Sequence, residues 1–523
     1  MIEAMRGSFR SVVDLMRATA EAHPEREAFV DGGRRLTFAG WDRAADGLAA
    51  TLAEAGVGRG DVVCLMLPSS SDYAVCYQAA MRLGAVTSGI NPRLGPAEVA
   101  SIISRTRPRL TVVDRVAGVH ALHPGAGRLI GRDELDEACR RDPIRPRPRI
   151  DGSEAVAIVW TSGTTGEPKG AVFGHANLEA CAVGAGDLSR PGDRRLSPLP
   201  FAHVGYMTKP WDELVNVITT VIVPSPWKAG QALRLIEEEA VTVAQGVPTQ
   251  WSLMLADPHF DDTDVSSLRV AGTGASTVPP ELVREMRRRL GCAVVVAYTS
   301  TEAAITTRSR VGDADEVVSG TVGRASEGVA IEVVDAEGHP AGGGEVGRVR
   351  CRSAAVMRGY WDDPVRTAEV LREGWLTTGD LGRVDAAGNL VLVGRRSEMY
   401  IRGGYNVYPA EVEGVLGEHP GVDKVAVVGL PDPVLGQIGA AYVVPASGAA
   451  PQLDDLRTWC RQRLADYKAP DRLELLTELP LTSMLKVDKQ ALTALGARTH
   501  DLTRAARPSS ASSGPRSRPA GSS

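Results

Sequence analysis

The chain lacks both a cysteine framework and a long apolar run. Its seven cysteines are scattered over 523 residues, their number is odd, and none forms a C-x-x-C pair. This pattern excludes a disulfide framework and a typical zinc site, and indicates reduced thiols. No apolar run reaches the length of a membrane span, and residues 1–30 show no secretory pattern. These absences predict a cytoplasmic protein with no membrane span.

The chain also has no excess of basic residues over acidic ones. The net charge of −5 argues against a nucleic-acid partner, for which a basic face is expected. Aromatic residues make up only 5% of the chain, while the hydrophobic share of 43% and the charged share of 24% are ordinary for a globular protein. The length predicts at least two domains.

One loop carries most of the chemical information. Residues 156–160 (VAIVW) form an apolar run that predicts a buried strand. Glycines and small hydroxyls directly after it can turn backbone N–H groups and side-chain donors toward one point, as a phosphate site requires. No Gly-Lys-Ser/Thr triplet is present, so this is not the common P-loop. The predicted phosphate-binding residues are Thr161, Ser162, Gly163, Thr164, Thr165, Gly166 and Lys169.

The rest of the chain alternates strand and helix patterns. A hairpin is predicted over residues 27–38, a buried strand over 61–67, a helix over 73–83 and a strand over 110–113. This rhythm predicts an α/β fold in which helices cover the sheets. Residues 345–395 read as a smaller strand-rich unit.

Three further strands end in polar turns. They lie within residues 241–249, 268–276 and 293–302. In an open α/β sheet, ligands gather beyond the carboxyl ends of the strands. We therefore expect this edge to carry the phosphate loop and also Gly274, Ala275, Ser276, Tyr298, Thr301 and Glu302.

Residues 156–170 (VAIVWTSGTTGEPKG) resemble the signature loop of the adenylate-forming enzymes, which include acyl-CoA synthetases, firefly luciferase and peptide-synthetase adenylation domains. The resemblance covers most of the chain. It implies a large N-terminal domain over residues 1–396 and a small mobile α+β domain over 397–500. The Ser, Pro, Arg, Gly and Ala composition predicts a disordered tail over 501–523. The implied activity is an AMP-forming ligase that uses ATP and Mg²⁺.

The resemblance also implies roles for the nucleotide-site residues. The backbone of residues 274–276 and the Tyr298 ring would hold adenine, and Thr301 would contact phosphate. Glu302 and Thr161 would hold Mg²⁺, a hard cation that takes carboxylate oxygen and bridges phosphates. The matching string GWLTTGD at 374–380 assigns the ribose hydroxyls to Asp380, and Arg395 would reach ribose or phosphate.

The resemblance also implies which residues take part in activating the acid and in transferring it to the thiol. His203 would lie beside the carboxylate that is activated. Lys486, in a Pro-x-Thr-x-x-x-Lys spacing, would join that carboxylate to the α-phosphate. The small domain would then rotate about Ser397 and bring the loop of Gly403 and Gly404 to the site, where coenzyme A displaces AMP.

Three positions depart from the family pattern. Thr299 follows Tyr298 where the family has glycine, which narrows the acyl pocket and favours a small or flat acid. Leu485 replaces the glycine usually found before the lysine, so the loop is less free in φ. Ser397 replaces a charged hinge residue.

Three functions remain open. The first is a carboxylate–CoA ligase for a small to medium acid, aromatic acids included. The second is an adenylating enzyme of secondary metabolism with another acceptor or oxyanion: a carrier protein, an amine, or nitrite activated for N–N bond formation. The third, a catalytically silent binding protein, is disfavoured by the complete set of charged residues. Lys209 is either a solvated lysine or a pocket cation for an anionic substrate.

Overall fold

The computed structural model describes residues 9–115, 125–143, 148–161, 168–276, 278–482 and 485–505, the side chains of 498–505 excepted. This part of the chain forms two compact units. The larger runs to Ser397 and also includes Lys486, whereas the sequence expectation assigned Lys486 to the small domain. The smaller unit runs from Glu398 to Thr482 and again from Val487.

The strands of the larger unit form three sheets. In chain order they are β1 (Glu27–Asp31), β2 (Arg34–Thr37), β3 (Val62–Met66), β4 (Val86–Gly89), β5 (Leu110–Val113), β6 (Arg128–Gly131), β7 (Ala155–Thr161), β8 (Lys169–Gly174), β9 (Arg194–Ser197), β10 (Thr219–Ile222), β11 (Val243–Gly246), β12 (Val270–Gly274), β13 (Ala293–Ser300), β14 (Ala304–Arg308), β15 (Arg324–Ala325), β16 (Val329–Val334), β17 (Gly347–Ser353), β18 (Leu371–Arg372), β19 (Trp375–Val384) and β20 (Leu390–Arg395).

Helices cover these sheets. They are α1 (Val12–Ala22), α2 (Phe38–Glu54), α3 (Ser71–Arg82), α4 (Pro96–Thr106), α5 (Arg132–Ala138), α6 (His175–Ala185), α7 (Val204–Met207), α8 (Pro210–Val215), α9 (Ala229–Glu238), α10 (Pro248–Leu255), α11 (Pro280–Leu290), α12 (Asp315–Gly320) and α13 (Pro364–Val370). The predicted α/β class is thereby confirmed, as is the hairpin, since β1 and β2 pair antiparallel.

The first sheet has nine strands among the described residues, in the order β15-β14-β13-β12-β11-β9-β10-β1-β2. Its centre is parallel from β1 to β13, so β9, β11, β12 and β13 point their carboxyl ends to one edge. Their valine-rich runs are buried because helices cover both faces of such a sheet.

The second sheet has six strands, in the order β6-β5-β3-β4-β7-β8. It is parallel except for the antiparallel pair β7 and β8, which flank the predicted phosphate loop. The loop therefore belongs to a different sheet from β11–β13, and the expectation of one shared edge is wrong. Sequence patterns reveal strands but carry no information on which sheet each strand joins. The third sheet, β16-β17-β19-β18 with β20 on β19, is the predicted strand-rich unit.

The smaller unit is a compact α+β structure. It contains β21 (Tyr400–Arg402), β22 (Tyr405–Val407), α14 (Pro409–Gly417), β23 (Val422–Asp432), β24 (Gly436–Pro445), α15 (Leu453–Arg461), β25 (Arg472–Leu475) and α16 (Lys489–Ala505). Helix α16 extends five residues into the segment for which disorder was predicted, because no glycine or proline interrupts residues 497–505. The rest of that tail lies outside the described residues.

No helix in the described part of the chain is both long and apolar enough to serve as a membrane span.

Candidate active site

The base of the predicted phosphate loop is a β-hairpin. Thr161 ends β7 and lies opposite Lys169, the first residue of β8. The indole Nε1 of Trp160 donates to Ser88 Oγ at 2.9 Å, which ties β7 to its neighbour β4 in the buried core. Ser162, Gly163, Thr164, Thr165 and Gly166 lie outside the described residues, so their role stays a prediction.

A five-residue segment, residues 357–361, brings the two large sheets together. At one end, Met357 N donates to the Glu302 carbonyl at 2.7 Å, just beyond the end of β13. At the other end, Trp361 N donates to the Gly170 carbonyl at 2.7 Å, on β8 beside Lys169. Backbone bonds at both ends fix Glu302 near the base of the phosphate loop.

Tyr360 in this segment links the two charged candidates directly. Its hydroxyl donates to Glu302 Oε1 at 2.9 Å, and Lys169 Nζ lies 5.3 Å from the centre of its ring, within cation–π range. Burial and the Glu302 carboxylate raise the pKa of the Tyr360 hydroxyl, which therefore stays a donor. Tyr360 thus contacts an anion through its hydroxyl and a cation through the face of its ring.

The described residues contain no cluster of three or more histidine, cysteine or acidic side chains that could hold a metal. Mg²⁺ in nucleotide sites is usually held by one or two carboxylates plus substrate phosphates. The single Glu302 carboxylate fits that arrangement. Thr161 lies at the hairpin base, and its predicted metal role remains a proposal.

Asp380 forms the centre of a second polar group. It lies opposite Arg395 in the β19–β20 ladder, and Arg395 Nε donates to its Oδ1 at 3.0 Å. The Tyr298 hydroxyl donates to its Oδ2 at 2.5 Å, and burial followed by the Asp380 charge raises the Tyr298 pKa. A carboxylate accepts more than one hydrogen bond per oxygen, so Asp380 retains acceptor capacity for a ligand.

The turn after β12 has an unusual backbone. A Cβ at Gly274 would lie 2.1 Å from the Ala297 carbonyl oxygen of β13, so only glycine fits there. Ala275 has a φ of +65°, the left-handed region that non-glycine residues rarely adopt. Ser276 follows, and Thr301 lies half-buried one strand away, directly after β13. The predicted adenine turn is therefore a tightly constrained backbone beside Tyr298.

His203 is the N-cap residue of helix α7 and contacts the Asn91 side chain. The Asn91 side-chain nitrogen lies 3.0 Å from His203 Nε2, and its oxygen accepts from Arg93 N at 3.0 Å, which fixes the orientation of the amide. Nε2 is thus the acceptor and the ring proton lies on Nδ1. Burial, followed by the positive charge of Lys486, lowers the His203 pKa to about 4, so the ring is neutral near pH 7.

The pKa of Lys486 is also shifted. Burial and then the Arg395 charge lower its pKa, Asp380 partly opposes them, and the result is about 8. The side chain is therefore mostly cationic at neutral pH. Leu485, which precedes it, has a φ of +58°, so a leucine occupies a backbone conformation suited to glycine.

Gly403 and Gly404 lie in the smaller unit. They form the two-residue turn between β21 and β22, with φ values of +57° and +90°. Consecutive positive φ values are typical of a hairpin turn that glycine accommodates without strain.

A cavity lies where β9 and β11 end, next to α7. It is small and partly open to solvent, and its wall includes Arg195, Tyr206, Lys209, Glu213 and Gln245. Lys209 is therefore part of a cavity wall and not a solvated surface lysine, and burial lowers its pKa.

Sequence reasoning missed four residues of these groups: Tyr360, Asn91, Arg195 and Glu213. Tyr360 and Asn91 act through contacts with residues far away in the chain, and no local pattern marks them. Arg195 and Glu213 carried no clear signal either, since each directly follows another residue of the same charge, Arg194 and Asp212.

Comparison with known proteins gives a consistent set of relatives. The family model described as AMP-binding enzyme matches residues 16–361, and the AMP-binding enzyme C-terminal domain matches residues 411–486. A feruloyl-CoA synthase from Amycolatopsis sp is 36% identical over 483 residues, covering 90% of this chain and 96% of its own.

Two solved structures resemble the chain over nearly its whole length. The anthranilate CoA ligase AuaEII in complex with anthranoyl-AMP has a TM-score of 0.86 at 26% identity, covering 94% of this chain and 98% of its own. The amide bond synthetase McbA from Marinactinospora thermotolerans has a TM-score of 0.83 at 29% identity, covering 93% and 99%.

Proposed function

This chain belongs to the AMP-binding enzyme family and is an AMP-forming ligase, and from that premise we propose that it is a carboxylate–CoA ligase for small to medium acids, aromatic acids included. In the proposed reaction, a carboxylate oxygen attacks the α-phosphorus of ATP and diphosphate leaves. The thiolate of coenzyme A then attacks the acyl carbon and AMP leaves.

The observation that carries the proposal is the placement of Glu302 beside Lys169 through Tyr360. A phosphate loop, a carboxylate for Mg²⁺ and a lysine are the groups that a triphosphate requires. Segment 357–361 is joined by backbone hydrogen bonds to Glu302 and to Gly170, the neighbour of Lys169, and the Tyr360 hydroxyl also donates to Glu302. Bound Mg²⁺ would neutralise charge on the phosphates.

The neutral His203 ring suits a site where two anions meet. Since Asn91 occupies Nε2, the Nδ1–H is available as a neutral donor to a carboxylate oxygen. Lys486 would supply the positive charge as the carboxylate approaches the α-phosphate, an electrostatic role that requires no covalent step on the protein.

The substrate range follows from three features. Thr299 replaces the family's glycine at the acyl pocket, the cavity is small, and its Tyr206 wall stacks on Phe201 with ring centres 3.5 Å apart. A rigid aromatic wall favours a flat acid. The relatives described above include ligases named for the aromatic acids ferulate and anthranilate.

The acceptor is proposed to be coenzyme A, with the turn of Gly403 and Gly404 allowing the pantetheine chain to pass close to the backbone. Rotation of a small domain about Ser397, with residues 397–500 as its extent, remains part of the proposal. A carrier protein is the alternative thiol acceptor. Separate assays of acyl transfer to coenzyme A and to a carrier protein distinguish the two.

A second candidate is favoured by the charged wall of the cavity and by the similarity to an amide bond synthetase. In this alternative an amine displaces AMP, or nitrite replaces the carboxylate: a nitrite oxygen attacks the α-phosphorus, diphosphate leaves, and an aryl amine nitrogen then displaces AMP with loss of a proton.

The test is diphosphate release over a panel of carboxylic acids, with nitrite plus an aminobenzoate in a separate arm. Lys486→Ala should lower acid-dependent diphosphate release by at least 100-fold, the scale of losing a preorganised charge at a reacting centre. Lys424→Ala, a change at an exposed position on β23, is the matched control and should keep wild-type activity. Full activity of the Lys486 variant would remove Lys486 from the mechanism.

A further inference from the structure

The wall of the cavity between β9, β11 and α7 contains several buried charged side chains. Arg195 is 4% exposed and Glu213 is 2% exposed, and both line its wall with Lys209. Charged side chains are rarely buried to this extent unless they are paired. The cavity wall therefore has a function other than filling space.

Internal pairing accounts for only part of this charge. Arg195 Nη2 donates to Asp212 Oδ2 at 2.7 Å and to Ser189 Oγ at 2.6 Å. Glu213 Oε1 accepts from Thr220 Oγ1 at 2.6 Å. These contacts hold both side chains in position, and the Asp212 carboxylate offsets the charge of Arg195.

Four buried atoms of the wall are left over. Arg195 Nε, Arg195 Nη1, the Tyr206 hydroxyl and Glu213 Oε2 have no hydrogen-bond partner among the described residues. Leaving buried donors and acceptors unpaired is unfavourable, so four such atoms on residues of one cavity wall favour a polar occupant there, water included. Donors predominate, because the guanidinium nitrogens and the Lys209 ammonium can only donate.

The cavity is also close to the reacting centre. His203 is the N-cap residue of helix α7, Tyr206 N donates back to the His203 carbonyl at 3.0 Å, and Lys209 N donates to the Tyr206 carbonyl at 2.7 Å. Tyr206 thus lies one turn after His203 in α7, and Lys209 is the N-cap residue of the next helix, α8. A group bound there can belong to the molecule whose carboxylate lies at His203.

We infer that this cavity is a subsite for an oxyanion, recognised by Arg195, Lys209 and the Tyr206 hydroxyl. The inference rests on the proposed ligase function and narrows its substrates to an acid together with a second negatively charged oxygen group. That group is either a distal carboxylate on the acid itself or a separate small oxyanion such as nitrite.

Tyr206→Phe tests the subsite cleanly. The hydroxyl has no partner in the described protein, and phenylalanine keeps the stacking on Phe201, so the fold should be unaffected. Tyr73→Phe is the matched control: the Tyr73 hydroxyl is also buried without a partner among the described residues, but Tyr73 is not part of the cavity wall.

The measurement compares benzene-1,4-dicarboxylate with its monomethyl ester, which has nearly the same shape but no distal charge. Binding to the ATP-loaded enzyme is followed by calorimetry, and turnover by diphosphate release. The wild type should bind the dicarboxylate at least tenfold more tightly than the monoester. Tyr206→Phe should reduce that preference about fivefold. For the dicarboxylate, this variant should raise KM more than it lowers kcat. Lys209→Met should abolish the preference, and Tyr73→Phe should leave it intact.

A parallel arm replaces the dicarboxylate by nitrite, with the same variants. Nitrite binding that Lys209→Met removes and Tyr73→Phe retains would support the subsite and identify a free oxyanion as the source. Equal binding of dicarboxylate and monoester, together with no nitrite binding, would overturn the inference even if acids are activated. Charge-selective binding without any diphosphate release would keep the subsite and reject the ligase function.

Discussion

Glu213 couples substrate choice to pH. Burial raises its pKa to about 7, against the hydrogen bond from Thr220 and the nearby Arg195 and Lys209 charges, while Asp212 adds to the rise. Below pH 7 the group is neutral, and above it a negative charge faces the cavity, where Tyr206 of α7 also lies. A second anion in the cavity would compete with that charge.

We therefore predict that the ratio of kcat/KM for a dicarboxylate to kcat/KM for its monomethyl ester falls as pH rises through about 7, by up to tenfold per unit. Loss of the Lys486 charge, with a pKa of about 8, lowers both values alike and cancels in the ratio. Glu213→Gln removes the titrating group and should make the ratio independent of pH. A pH-rate series from 6 to 8.5 with both substrates measures this. Persistence of the same fall in Glu213→Gln would contradict the assignment.

Residues in local strings could be predicted from the sequence, and residues that act at long range could not. Asp380 and Arg395 each lie in a recognisable string, and the structure brings them together with Tyr298. Tyr360 lies 58 positions from its partner Glu302, and Asn91 lies 112 positions from His203. Such contacts depend on strand order, which local patterns do not encode.

At the scale of elements, the turn that carries Lys486 combines a family departure with a strained backbone. Leu481 and Val487 form an antiparallel bridge across it, and Leu485 within it has a φ of +58°. The sequence showed that leucine replaces glycine there, but only the structure shows that the left-handed conformation is kept. The left-handed region costs a non-glycine residue roughly 1 kcal/mol.

Leu485→Gly should relieve this strain, and Leu485→Ala is the matched control, because alanine also removes the side chain but keeps the penalty. We predict that the glycine variant has a free energy of unfolding at least equal to that of the alanine variant, the difference being up to about 1 kcal/mol. Pairwise urea denaturation measures it. A glycine variant that is clearly less stable than the alanine variant would show that the backbone strain is negligible.

Segment 357–361 positions a candidate site residue although it is neither a helix nor a strand. It has no helix or strand signature, yet its backbone joins Glu302 to β8 and so positions the metal candidate near the phosphate loop. The sequence predicted β13 and β7, the neighbour of β8, but placed the end of β13 and the phosphate loop at one sheet edge, whereas β13 and β7 belong to two sheets.

For the molecule as a whole, the alternation of strands and helices was sufficient to predict an α/β fold, which the sheets confirm. The composition of the C-terminal end was a less reliable guide to disorder, since α16 continues to Ala505. The substrate could not be predicted, because the cavity wall is assembled from β9, β11, α7 and α8, whose contacts arise only on folding.

The central claim is that an oxygen of the substrate acid becomes bonded to the α-phosphorus of ATP. The most direct measurement uses the preferred acid with ¹⁸O in the reacting carboxylate, together with ATP and coenzyme A, and determines the isotope in the products by mass spectrometry. The account predicts diphosphate without label and AMP that carries one ¹⁸O atom. Formation of ADP and phosphate, or AMP free of ¹⁸O while thioester accumulates, would contradict it.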